Sequence, residues 1–168
     1  TVLKAFSEYL NNNGQADLIF TGNTKDRKFP EHFEYLQSLI KKLNLTNKVK
    51  ILGLISKKEQ LSLIRGARAL IQPTLFEGGP GGGSCRDAIS LDTEIFASDI
   101  EINREINCGT VKYFDAKNSS ELSRLMLDSE KLIPKKKGLE QLVIEGNERR
   151  TLSGKYLLEI ISKAINEK

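Results

Sequence analysis

Pro73-Thr74-Leu75-Phe76-Glu77-Gly78-Gly79-Pro80-Gly81-Gly82-Gly83-Ser84-Cys85-Arg86-Asp87-Ala88 is the stretch whose reading decides the fold. An apolar run, Ala69-Leu70-Ile71, enters it, and a helix-compatible run, Arg86-Asp87-Ala88-Ile89-Ser90-Leu91, leaves it. Between them stand one acid and five glycines, from Glu77 to Gly83. The pattern is a strand, a loop of nearly bare backbone and a helix start. Unpaired N–H groups and the helix dipole both favour negative charge at such a place. The stretch therefore points to a pocket for a phosphorylated ligand. The competing reading is a surface loop made of turn-forming residues.

Upstream of the loop, helical and strand patterns alternate. Val2, Leu3, Phe6 and Leu10 share one face and predict a helix over 2–11. Leu18-Ile19-Phe20 reads as a buried strand, ended by Thr21-Gly22-Asn23. The next loop carries Lys25, Arg27 and Lys28, cations that either approach a phosphate or are solvated. Pro30 opens a helix over 30–43, with Phe33, Leu36, Ile40 and Leu43 as its stripe. Val49, Ile51 and Leu52 predict a second strand, followed by Gly53-Leu54-Ile55. Ser56-Lys57-Lys58-Glu59 matches a capping box and starts a third helix, which Gly66 ends. Ala69-Leu70-Ile71 is the third strand.

Downstream, a helix over 84–91 leads to the strand Glu94–Ser98. A short helix at 101–107, the strand Val111–Phe114 and a helix capped at Asn118 and running through Leu127 follow. Lys135-Lys136-Lys137 is a basic break, and 138–167 reads as helical. Short apolar strands alternating with amphipathic helices predict an α/β fold, a doubly wound Rossmann-like parallel sheet. Such sheets bind ligands at the carboxyl ends of their strands. Gly22, Gly53 and the glycine loop each follow a strand, so they are expected to line one edge together.

Composition narrows the classes. A chain of 168 residues with 39% hydrophobic and 29% charged residues fits one globular domain. The net charge of +4 permits anionic partners and demands none. Scattered Lys and Arg without aromatic interleaving argue against nucleic acid. No apolar run reaches the roughly 18 residues of a membrane helix. Cys85 and Cys108 lack the number and spacing of a disulfide framework or zinc site and read as free thiols of a reducing cytosol. His32 reads as a surface residue, and no metal or other cofactor is expected. Gly78 and Gly83 have the spacing of a Walker loop, but Ser84-Cys85 stands where Lys-Ser/Thr belongs. The dinucleotide fingerprint fails too, because the glycine turn comes late in the fold. Thr1-Val2-Leu3-Lys4-Ala5-Phe6 reads as the middle of a longer chain, without a signal peptide.

The order of elements resembles the C-terminal, donor-binding half of the GT-B glycosyltransferases. The likeness is to the retaining glycosyl transferases group 1, the family of sucrose and glycogen synthases. Val49-Lys50-Ile51-Leu52-Gly53-Leu54-Ile55-Ser56 is similar to the family's V-x-F-x-G-x-V-s. Ala67-Arg68-Ala69-Leu70-Ile71-Gln72-Pro73-Thr74-Leu75-Phe76-Glu77-Gly78 is similar to its A-d-a-x-v-x-P-S-x-x-E-G. Ile95-Phe96-Ala97-Ser98-Asp99 resembles V-I-A-S-D, and Arg104-Glu105-Ile106 the following x-E-v. The likeness spans residues 1–131, implying a nucleotide-sugar-binding domain there and, over 132–168, C-terminal helices that complete or return from it.

The resemblance implies a function. The expected reaction moves a sugar from a nucleotide-diphosphate sugar to an acceptor with retention, in polysaccharide or lipopolysaccharide synthesis. The nucleotide sugar is a substrate, so no cofactor is implied. Glu77 would be the catalytic carboxylate that holds the donor sugar. Gly22, Gly53, Leu54, Gly78, Gly79, Gly81, Gly82, Gly83 and Asp87 would line the donor and nucleotide site. The resemblance implies a signature of a Glu, seven residues and a second Glu, and strict counting from Glu77 puts Cys85 at the second position. A two-residue expansion of the loop gives Asp87 instead, whose carboxylate can accept hydrogen bonds from both ribose hydroxyls. Asp92-Thr93-Glu94 departs from the family's Gly-x-Pro. The family's first strand and its basic pair would precede Thr1. A saccharide or lipid-linked acceptor would be held by an N-terminal domain outside these residues, so this chain alone is expected to catalyse little. The full protein is expected in the cytoplasm, with peripheral association at the inner face of a membrane. The rival readings are a nucleotide-sugar epimerase and a non-enzymatic module used for protein contact.

Overall fold

The structure, a computed structural model, describes residues 1–25, 28–106, 108–131 and 135–166. They divide into two units, Thr1–Pro134 and Lys135–Lys168. In the first, the elements run α1 (Val2–Asn11), β1 (Leu18–Phe20), α2 (His32–Lys42), β2 (Val49–Ile51), α3 (Lys57–Gly66), β3 (Ala69–Gln72), α4 (Gly82–Ser90), β4 (Glu94–Ser98), α5 (Glu101–Arg104), β5 (Val111–Phe114) and α6 (Ser119–Lys131). Every ladder is parallel: Leu18 lies opposite Val49, Ala69 opposite Glu94, and Ile95 opposite Val111. This is the expected α/β class with its alternating helices.

The strands form two sheets, β1-β2 and β3-β4-β5. Among the described residues, β1 and β3 therefore each keep one edge without a strand partner. Burial follows from this pairing. Central β4 buries Ile95, Phe96, Ala97 and Ser98 completely or nearly so, whereas Ile19 on β1 is 43% exposed. A strand flanked on both sides loses its edges as well as its faces to the interior.

Two apolar clusters support the strands. In the larger, Leu3, Phe6 and Tyr9 of α1 pack with Leu18, Phe96, Phe114 and, from α6, Leu122 and Met126. The Phe6 and Tyr9 rings stack with centroids 5.5 Å apart. Burying one such ring contributes about 1.5–3 kcal/mol. In the smaller, Ile64 of α3 and Cys85 and Ala88 of α4 pack on Ile95 and Ala97. That cluster seats the helix that follows the glycine loop.

A polar lock joins α1 to α6. The Tyr9 hydroxyl donates to the Glu130 carboxylate and accepts from the Ala16 N–H at 2.8 Å. Glu130 Oε1 also accepts from the Gln15 and Ala16 N–H groups, both at 3.1 Å. Burial, reinforced by the bond to Glu130, pushes the Tyr9 hydroxyl up to about 12. Burial also pushes the Glu130 carboxyl up, but the donors around it together outweigh that and lower it below the usual carboxylate range. This lock explains why α6 reaches Lys131 and not only Leu127. Asp128-Ser129-Glu130 breaks the apolar stripe, yet Ser129 is buried and Glu130 is held by the α1–β1 loop.

Other boundaries shift for local reasons. α2 starts at His32 and not at Pro30, because Phe29 and His32 close a turn through a 3.0 Å bond from the His32 N–H. His32 itself is exposed. α4 starts at Gly82, two residues before the expected Ser84, since Gly81 and Gly82 both take left-handed φ values near +60° and turn the chain into the helix. α5 covers Glu101–Arg104, and the expected end at Asn107 lies outside the described residues. The capping box is present: the Ser56 N–H donates to Glu59 Oε2 at 2.8 Å and the Glu59 N–H to Ser56 Oγ at 3.3 Å. Asn118 Oδ1 accepts from the Glu121 N–H at 3.1 Å, as its capping role requires. Asp92 adopts φ +54°, a left-handed conformation that Asp tolerates better than most residues. Asp92 stands where the family pattern has glycine. Glu94, at the pattern's proline position, pairs with Lys112 at 2.6 Å.

The second unit holds one helix, α7 (Leu139–Asn166). Glu145 near its start pairs with Lys137 at 2.9 Å and Arg149 at 3.8 Å. No described helix is long and apolar enough to cross a membrane.

Candidate functional site

The chain leaves β3 at Gln72 and reaches Glu77 five residues later. Gln72 Nε2 donates to Glu77 Oε1 at 2.5 Å, fixing the carboxylate at the carboxyl end of the strand. Glu77 Oε2 lies 3.3 Å from where a Cβ on Gly82 would stand, so the acid rests against the turn. A Cβ on Gly81 would lie 2.5 Å from Cys85 Cβ and 2.7 Å from Ile106 Cδ1. With its left-handed φ as well, Gly81 is glycine for two reasons. Gly78, Gly79 and Gly83 differ. Among the described residues, nothing lies within 4 Å of a Cβ built on any of them. Internal packing does not require these three to be bare, and their open backbone is available to a bound group.

Among the described residues, no side chain caps α4. Its first-turn amides lie at the end of the helix that attracts negative charge. Cys85, one turn in, is completely buried in the smaller cluster. Burial, with the charge of Glu77 adding to it, pushes its thiol up to about 11. Cys85 is thus an interior residue, while Asp87 keeps 20% of its side chain exposed and accepts a hydrogen bond from Lys57 Nζ.

The other expected residues join this set by bonds. The Gly22 N–H donates to the Gly53 carbonyl at 2.8 Å, tying the loop after β1 to the loop after β2. Leu54 follows, 77% exposed. Ser56 then caps α3, and Lys57 at its start reaches Asp87 on α4. The structure therefore links Gly22 to Gly53 directly, and Gly82 to Glu77, with Lys57–Asp87 between the two halves. A small cavity of about 120 Å³ opens beside Gly22, among Phe20, Asn23, Phe33 and Leu36. It is too small for a nucleotide. Of the cations in that loop, Arg27 lies outside the described residues. Among the described residues no group of three His, Cys, Asp or Glu side chains stands together to hold a metal ion.

Sequence reasoning missed four residues: Gln72, Lys57, Ser98 and Asn103. Asn103 is completely buried. Its Oδ1 accepts from the Gly81 N–H at 3.0 Å, and its Nδ2 donates to the Ser98 carbonyl at 2.9 Å and Ser98 Oγ at 3.2 Å. Ser98 Oγ donates to the Thr74 carbonyl. The Tyr113 hydroxyl donates to the Asn103 carbonyl at 2.9 Å. Thr74 Oγ1 is buried without a partner among the described residues. Gln72, Lys57 and Ser98 stood inside quoted motifs without a role of their own, and Asn103 in none; a tie between distant elements leaves no period in the sequence.

The model of the family described as glycosyl transferases group 1 matches residues 1–148. The chain belongs to that family. Solved glycosyltransferase structures share its fold. Anabaena Alr3699/HepE, determined in complex with UDP, is similar at a TM-score of 0.65 and 17% identity, over 76% of this chain and 35% of that one. A glycosyltransferase from Rickettsia africae ESF-5 gives 0.64 and 18%, over 77% and 33%. Sucrose-phosphate synthase (tll1590) from Thermosynechococcus elongatus gives 0.58 and 15%, over 90% and 42%. The chain thus spans between 33% and 42% of the length of these structures. No curated protein matches it. The Rossmann-like half of a GT-B glycosyltransferase is the fold these glycosyl transferases group 1 residues adopt.

Proposed function

We propose that this chain is the donor-binding half of a glycosyltransferase that moves a sugar from a nucleotide-diphosphate sugar to a saccharide or lipid-linked acceptor, with retention, in the building of a cytoplasmically made polysaccharide. The observation that carries the reading is Glu77, fixed by Gln72 and resting on Gly82, beside the uncapped start of α4 and three glycines whose bareness packing does not require. In transfer, the bond between the anomeric carbon and the diphosphate oxygen breaks, and negative charge grows on the leaving diphosphate. The loop and α4 amides would stabilise that charge, already oriented before the reaction. Glu77 would hold the sugar by its hydroxyls. Asp87 would accept from the ribose hydroxyls. Gly22, Gly53 and Leu54 would border the nucleotide. The UDP of the Anabaena HepE complex makes a uridine nucleotide the first to try.

One observation favours a second reading. Asp87 is committed to Lys57, which fits a domain whose ribose acid has become a structural partner. Thermal unfolding with millimolar UDP, GDP, ADP, CMP and their diphosphate sugars separates the two. A ligand specific to the folded state stabilises by about 2.7 kcal/mol at a hundredfold excess over Kd. The donor reading expects one nucleotide to raise Tm, and Glu77→Ala and Asp87→Ala each to reduce that rise. A rise that Asp87→Ala leaves intact assigns Asp87 to Lys57 alone. No rise with any of them in the full protein favours the non-enzymatic module.

A further inference from the structure

Three helices of this domain show how their first turns are held. Ser56 caps α3 with its own side chain, and Asn118 caps α6. α4 has no such cap. Its entry turn is held instead by a side chain from another element, and one residue upstream of the helix: Asn103, on α5, binds the Gly81 N–H. A cap would occupy a first-turn amide. A tether at Gly81 orients the turn without spending a side chain on the first-turn amides, of which the Gly82 N–H makes a 3.3 Å bond to the Gly79 carbonyl.

The tether is anchored on every strand of its sheet. Asn103 Nδ2 donates to both the carbonyl and the hydroxyl of Ser98 at the end of β4. Ser98 Oγ passes the connection to the Thr74 carbonyl, just past β3. Tyr113 on β5 holds the Asn103 carbonyl. The side-chain amide spends both donors and its acceptor inside the protein, as a buried amide must. Gly81 cannot move to another shape with a side chain, since a Cβ there meets Cys85 and Ile106. Two further features point from the tether to the ligand. Glu77 lies against Gly82, the next residue. Asn103 is also uncharged, so it fixes the turn without placing a negative charge beside a diphosphate.

We infer that Asn103 is the positioning residue of the glycine turn: through the Gly81 amide it sets where the α4 amides and Glu77 meet the diphosphate and sugar of the donor. The inference rests on the donor reading above. The test uses the full chain, with calorimetric titration of UDP, GDP and ADP and hydrogen exchange of the Gly81 amide. Asn103→Ala is expected to weaken the bound diphosphate by about tenfold and to speed Gly81 exchange by at least about as much, the effect of losing one buried amide bond. Ser98→Ala loosens the same network but leaves Oδ1 on Gly81, so it changes both by less than about threefold. Asn103→Ser, which is too short to span to Gly81, replaces the alanine variant if that one does not fold. Binding within about twofold of the unaltered chain in Asn103→Ala, or an equal loss in Ser98→Ala, overturns the inference. A full-length protein that binds none of UDP, GDP, ADP, CMP and their diphosphate sugars ends the donor reading itself, and this inference with it.

Discussion

Glu130 and Asn103 each hold a loop by its backbone amides, one with a charge and one without. Glu130 takes the Gln15 and Ala16 N–H groups together with the Tyr9 hydroxyl, and so fastens α1 to α6. Asn103 takes the Gly81 N–H and fastens the glycine turn to the ends of β3, β4 and β5. A carboxylate accepts from several donors at once, and its grip depends on staying ionised. A carboxamide grips more modestly but at any pH, and it adds no charge. The charged tie stands in the packed α1–α6 face, and the neutral one where an anion is proposed to bind. The chemistry of each tie suits the charge its neighbourhood can bear.

The strongest test of this contrast is steric. Gly81→Ala adds left-handed strain to a Cβ that meets Cys85 at 2.5 Å, and should cost about 3 kcal/mol in a urea unfolding curve. Gly83→Ala, with open space around its Cβ, should leave stability within about 0.5 kcal/mol while weakening nucleotide binding. Equal losses of stability would mean that the turn is not anchored at Gly81 in particular. Next in size, Tyr9→Phe leaves Glu130 and the Ala16 N–H short of a partner and should cost about 1–3 kcal/mol by the same measurement. A loss confined to Asn103→Ala, with Tyr9→Phe neutral, would reverse the ranking of the two ties.

Acidity sharpens the comparison further. The lowered Glu130 carboxyl contributes stability above its ordinary value of 4.5, and that contribution drains away as pH falls through its folded value. The raised Tyr9 hydroxyl works in the opposite sense. Its contribution is whole below 10.0 and is lost as pH rises toward about 12, because the unfolded chain gives up the proton first. Tm against pH should therefore decline at both ends, with Glu130→Gln flattening the acid limb and Tyr9→Phe the alkaline one. Asn103→Ala should lower the whole curve without changing its shape. The smallest effect is expected at Thr74, whose buried hydroxyl has no partner among the described residues. Thr74→Val should be neutral or stabilising by about 1 kcal/mol, and a clear loss would show that the hydroxyl is bonded in the native protein.

The two regions were also unequally legible in the sequence. Helix α1 could be read from Leu3 and Phe6, α3 from the Ser56–Glu59 box and α6 from Asn118, because each signal repeats within a turn or two of chain. Gly81 was visible as a glycine that a turn would need. What holds it was not, since Asn103 lies 22 residues away and looks like any polar residue of a short helix. Glu130 was hidden for the same reason: its partners Tyr9, Gln15 and Ala16 lie more than a hundred residues upstream. Lys57 read as part of a cap, and its reach to Asp87 depends on how α3 and α4 pack. Local spacing records the phase of a helix or strand against the core. Polar ties between distant elements are products of the finished packing.

Cys85 turns the glycine turn into its own reporter. Thiol reagents attack the thiolate, and this thiol is both completely buried and pushed up to about 11. Its Sγ lies 2.7 Å from the Cβ position of Gly81, directly beneath the turn. Alkylation at neutral pH must then wait for the turn to lift, whereas half-buried Cys108, whose Sγ lies 3.1 Å from Thr110 Oγ1, answers to its own loop. A slow labelling phase of Cys85 is the expected outcome, and its rate would report the opening of the turn with no probe added to the chain.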